Sequence, residues 1–160
     1  MCGISLEAHS RHVRYRLPDP VLITDEQENA SGAWLSHADP IDAVMMQIPR
    51  VAPFLRALMP VHLIGGHIIT FGIWVTVHPA DLQRAYSLWW EPEYQNLRLH
   101  GWLANSIKPW GLLNSPVNLA VLDPDHTPYC VSSRNPTLSA VLEQEWPHQA
   151  VLGALPEELL

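Results

Sequence analysis

Residues 61–77, VHLIGGHIITFGIWVTV, constrain this chain more than any other stretch. Two adjacent glycines, Gly65 and Gly66, separate two apolar runs. Glycine accepts the positive φ that tight hairpin turns demand, so the pattern predicts a β-hairpin. Side chains alternate across a strand. Ile69, Phe71, Ile73, Val75 and Val77 therefore share one wholly apolar face, while Ile68, Thr70, Gly72, Trp74, Thr76 and His78 share the other. The first face belongs in a core and the second is only partly covered.

The segments around this hairpin predict alternating helices and strands. In HPADLQRAYSLWWEP, Pro79 suits a helix start, Asp81 the first turn and Pro92 the end. Leu82, Ala85, Tyr86 and Trp89 recur at helical spacing and form the expected buried stripe. Trp90 lies about 100° further round, so Trp90 and Tyr94 are expected to be partly exposed. LRLHGWLAN reads as a strand with Leu97 and Leu99 inward, and SIKPWGLLNSP as a loop. VNLAVLD and TPYCVSS flank DPDH, a turn sequence, and predict a second hairpin. A last helix is expected from Asn135 as cap to about Trp146, with Leu138, Val141, Leu142 and Glu145 along its inner line.

Upstream, ADPIDAVMMQIP opens like a helix, with Asp39 as cap, Pro40 at the first position and Pro49 as the stop. Ile41, Val44, Met45 and Ile48 would share its face. Arg11, Arg14 and Arg16 alternate with Val13, Tyr15 and Leu17 like an edge strand, broken by Pro18 and Pro20. TDEQENASG reads as an acidic loop, and VAPFLRALM fits a short helix or a buried strand equally. The expected architecture is one α+β domain over residues 1–160, a mostly antiparallel sheet with two or three helices packed on one face.

Composition narrows the function classes. Apolar residues make up 48% and charged residues 16%, which excludes a disordered chain. The net charge of −7 disfavours nucleic acid and anionic membranes and suits a basic protein partner. No run approaches the roughly 18 apolar residues of a membrane span, and the opening residues lack the apolar core of a signal peptide. Two cysteines, Cys2 and Cys130, make no disulfide framework. The expected compartment is the cytoplasm.

Catalytic and ligand-binding patterns are sparse. His62 and His67 flank the Gly65–Gly66 turn and are placed to face each other across it, but a metal site needs a third ligand, for which His100 and His126 are candidates. Cys130 sits among Tyr129 and Val131 as a buried thiol would. Glu143 and Glu145 diverge on a helix, and Asp123 and Asp125 fit a turn. Gly65–Gly66 lacks the Lys and Ser/Thr of a phosphate loop. What remains is a recognition surface of Trp90, Tyr94 and Trp110 beside Glu91 and Glu93. Aromatic side chains give contact area at low rotamer cost, and flanking acids steer a basic partner.

The expectation is a non-enzymatic acidic binding protein without metal or cofactor, most concretely an immunity protein that occludes a basic toxin domain. The alternatives are a metal-dependent enzyme or metal-binding protein using His62, His67 and a third ligand, and a structural homo-oligomer subunit paired through the apolar tail Ala150–Leu160.

FLRALMPV, FGIWVTV, LQRAYSLW and HGWLANSIKPW together resemble a family of small bacterial proteins, the domain of unknown function numbered 2199. NLAVL and LEQ near the C-terminus resemble further segments of its pattern. The resemblance implies that VAPFLRALM is extended. It carries no implied activity. The family's opening pair of cysteines is represented here only by Cys2 and Gly3, with His9 following, so a metal site there would lack a thiolate.

Overall fold

The computed structural model describes residues 12–22 and 32–155. The expected α+β layering is overturned: the described residues form a five-stranded β-barrel with nine strands in all and four short helices, 24% helical and 37% strand. The elements are β1 (His12–Arg14), α1 (Asp19–Leu22), β2 (Trp34–Leu35), β3 (Met45–Ile48), β4 (Ala52–Leu63), β5 (His67–Thr76), α2 (Pro79–Leu88), β6 (Arg98–Leu103), β7 (Pro116–Ala120), β8 (Tyr129–Ser132), α3 (Pro136–Glu143), β9 (Glu145–Trp146) and α4 (His148–Leu152).

The predicted hairpin is the spine. β4 and β5 pair antiparallel from Phe54↔Thr76 to Leu63↔His67, with Gly65 and Gly66 at φ 97° and 87° in the turn. β5 pairs β6, β6 pairs β7, and β7 pairs β8 in the second predicted hairpin. Closure comes from one parallel contact, Leu58↔Tyr129, between β4 and β8. β4 resolves the undecided stretch VAPFLRALM as strand, as the family resemblance implied. Gly101 permits the tight β5–β6 approach, since a Cβ there would lie 2.4 Å from the Thr76 carbonyl oxygen.

Alternation sorts the spine into two cores. Leu55, Ala57, Met59, Val61 and Leu63 of β4 meet Ile69, Phe71, Ile73 and Val75 of β5 inside the barrel. The helices do not layer one face of a sheet. Leu82 and Ala85 of α2, Leu138 and Val141 of α3, and Val151 and Leu152 of α4 all join this same interior. Leu155 does too, so the described part of the apolar tail packs on its own chain. The opposite face of the spine carries a second core, where Phe54 and Trp74 meet Leu17, Val21, Ala43, Met46, Ile48 and Ala104.

The predicted helix over ADPIDAVMMQIP is a turn followed by β3, antiparallel to β4. Met45 enters the barrel core while Met46 and Ile48 enter the second core. A strand buried on both faces is nearly continuously apolar, and such a run also satisfies helical spacing. Residues 12–14 do form a strand, parallel to β5. The final helix is shorter than expected. Asn135 Oδ1 accepts from the Thr137 and Leu138 amides as predicted, but the helix ends at Glu143, and Glu145–Trp146 pairs with β4 as β9. The acidic stretch TDEQENASG lies, apart from Gly32, outside the described residues.

Candidate functional site

The second core holds the most constrained polar group among the described residues. Arg56 is fully buried, directly cross-strand from Trp74, with its guanidinium 4.1 Å from the Trp74 ring centroid. Its Nε donates to the Ala43 carbonyl at 3.2 Å, Nη1 to Gly72 at 3.2 Å and to Tyr15, and Nη2 to Pro40 at 2.9 Å and Ile41 at 3.5 Å. Burial, then the neighbouring Arg14, push its pKa down to about 9, while Asp42 pulls it back. Asn105, also fully buried, accepts from the Trp74 amide at 2.8 Å and donates to the Leu17 carbonyl at 2.9 Å and the Asp19 carboxylate at 3.0 Å. This knot ties β1, the loop before β3 and the loop after β6 to the spine. The Arg56 and Asn105 donors and acceptors meet partners within the chain and both side chains are shut off from solvent, so their role is to hold the fold. The sequence reading passed over Arg56. The available signal was a lone charge inside the apolar run APFLRALM.

The open surface is elsewhere. Pro79 starts α2 and the chain turns at Trp89 and Trp90 into a 3-10 turn, Pro92–Asn96. Trp89 is half-buried against Tyr94, ring centroids 4.9 Å apart. Tyr94 is buried, and its hydroxyl donates to the His126 carbonyl at 2.6 Å, which fastens the 3-10 turn to the β7–β8 connection. Burial raises the Tyr94 pKa far above the usual phenol value. Trp90, by contrast, is 90% exposed.

Trp90 lines two hollows. One, of about 670 Å³, lies among Trp89, Glu91, Tyr94, Asp125, His126 and Thr127. The other, of about 540 Å³, lies among Trp34, His37, Asp42, Met45, Tyr86 and Trp89. Tyr86 is 62% exposed, one helical turn before Trp90, and meets Trp34 edge-on at 5.8 Å. Trp34, Tyr86 and Trp90 thus form an exposed aromatic ridge. Glu91 and Asp125 border the first hollow and Asp42 the second, and among the described residues no Lys or Arg lines either.

The structure brings together Trp90, Glu91 and Tyr94 of the predicted recognition residues, with Tyr94 serving as buried support. It separates the other two. Glu93 borders a different depression with Arg84 and Arg98. Trp110 packs on the barrel core and edge-on to Trp146 at 5.1 Å. Sequence reasoning missed Trp34, Tyr86, Asp42 and Asp125. Tyr86, expected on the buried stripe, is exposed, and the stripe's buried residues are Leu82 and Ala85.

The metal alternative meets a different geometry. Register pairs His62 with Ile68 and His67 with Leu63, so the two histidines point to opposite faces of the hairpin. His67 instead lies edge-on to His148 at 5.5 Å, and the His100 Nδ1 is 3.1 Å from Asn118 Oδ1. Among the described residues no three His, Cys, Asp or Glu side chains converge. Cys130 is buried in the barrel and burial pushes its thiol up to about 12, which removes thiolate character at neutral pH.

Fold and surface together define a small closed β-barrel with a second core wrapped on one side and an aromatic ridge left open. The chain belongs to the family described as an uncharacterized protein conserved in bacteria (DUF2199), whose pattern matches residues 1–138. Comparisons with curated proteins and with solved structures give no match. Among the described residues no helix is long and apolar enough to cross a membrane.

Proposed function

We propose that this protein is a non-enzymatic bacterial binding protein that engages a basic protein partner through the Trp34–Tyr86–Trp90 ridge. The observation that supports it is Trp90: a tryptophan 90% exposed that lines two hollows bordered by carboxylates and, among the described residues, by no Lys or Arg. Large exposed aromatic groups mark interaction sites, and they anchor interfaces when a partner desolvates them. The net charge of −7 favours encounter with a cationic surface.

The most concrete version is a cytoplasmic immunity protein that occludes a basic toxin domain. The test is to express the product of the adjacent open reading frame and mix it with this protein. A basic toxin whose activity is abolished at equimolar protein supports the reading. A neighbour that is acidic, or basic yet neither bound nor inhibited, refutes it.

A further inference from the structure

We infer that the basic partner straddles Trp90, placing one cationic side chain in each hollow from alternate residues of an extended segment. This rests on the binding reading above and specifies its chemistry. Trp89, Trp90 and Val44 line both hollows, and of these Trp90 is the residue that stands clear of the surface. The carboxylates are divided between the two hollows, Glu91 and Asp125 in one and Asp42 in the other. A single cation would satisfy one side only, whereas two cations around one indole satisfy both.

The spacing agrees. A ring touched on both sides needs its neighbours about 7–8 Å apart, twice the ordinary van der Waals separation. Alternate residues of an extended strand sit about 6.6 Å apart and point the same way. Lys and Arg stems lie along apolar surface while their charged heads reach out, so the indole and the walls given by Trp89 and Val44 suit the stems. The charged heads then meet the carboxylates, and the tryptophan face attracts the cations directly. Adjacent basic residues would point to opposite sides of the strand and fill only one hollow.

Calorimetric titration of the intact protein with two synthetic peptides of equal charge tests this. One is Gly-Lys-Gly-Lys-Gly and the other Gly-Gly-Lys-Lys-Gly, both with blocked ends. The alternate-lysine peptide is expected to bind about fivefold tighter, in the range a surface cation–π contact supplies. Trp90→Ala should erase that preference. Asp42→Asn and Asp125→Asn should each weaken the alternate-lysine peptide about threefold and leave the adjacent-lysine peptide less affected, as one lost surface ion pair predicts. Equal affinities, no binding of either peptide, or a preference that survives Trp90→Ala overturns the inference. The two readings fail separately. A basic toxin that binds the Trp90→Ala chain as tightly as the parent leaves the binding protein standing and removes the straddle. An alternate-lysine preference with no bound neighbour does the reverse.

Discussion

Trp74 and Trp90 lie on the same side of chemistry and on opposite sides of the surface. Each is an indole with charged groups nearby. Trp74 is fully buried beneath the Arg56 guanidinium, and five backbone carbonyls surround that cation. Trp90 stands in solvent with carboxylates in both hollows it lines and, among the described residues, no Lys or Arg lining either. The comparison separates two uses of one vocabulary. Around Trp74 the Arg56 and Asn105 side chains are matched within the chain, and removing one leaves buried partners without hydrogen bonds. Around Trp90 the hollows carry carboxylates and, among the described residues, no Lys or Arg in their lining.

The largest expected effect is at the matched end. Arg56→Met keeps the volume but strands several buried carbonyls, and should cost about 3–5 kcal/mol of stability by urea denaturation. A loss under about 1 kcal/mol would show that the knot is dispensable and would collapse the contrast. Asn105→Ala removes the bonds to the Trp74 amide, Leu17 and Asp19, for an expected loss of about 2–3 kcal/mol in the same assay.

Alkali sharpens the comparison through tyrosines in both regions. Burial pushes Tyr15, whose carbonyl accepts from Arg56, up to about 12, and raises Tyr94 beneath the ridge further. Cys130 in the barrel is pushed up to about 12 from an ordinary 9.0. The unfolded chain therefore releases these protons at lower pH than the folded one. Their contribution is complete below pH 9 and is lost as pH rises toward 12. Arg56, depressed toward 9, has the opposite sign, but five carbonyls favour its charged form and oppose that depression. Urea midpoints should fall steadily between pH 9 and 11, and a rising midpoint would mean that Arg56 dominates.

The smallest effect on stability is expected at Trp90. Trp90→Ala should change it by less than about 0.5 kcal/mol, since the side chain is in water in the free protein. Its effect on binding should be the largest of any ridge substitution. A large stability loss would show that the ridge is structural and that the contrast with Trp74 is one of degree.

What could be read in the sequence was local. Gly65–Gly66, Pro79, the DPDH turn and the Asn135 cap each act within a few residues, and each landed where the structure has it. The misread strand β3 shows where local reading stops. Met45, Met46 and Ile48 serve two cores at once, and nothing in their own neighbourhood says that a second core exists. The barrel was hidden for the same reason, because its closure is the distant pair Leu58 and Tyr129. At the site, Trp90 and Glu91 were found because they are neighbours on one helix end. Asp42 and Asp125 come from other loops and meet them only in space.

The closure has a consequence for how the molecule is made. Until β8 leaves the ribosome, the middle of β4 offers an unpaired edge of amides and carbonyls, flanked by its pairings with β3 and, later, β9. Bare edges of apolar strands recruit other chains. A nascent chain halted at Ala120 would therefore be sticky, and the stretch that carries β8 and β9 seals that edge.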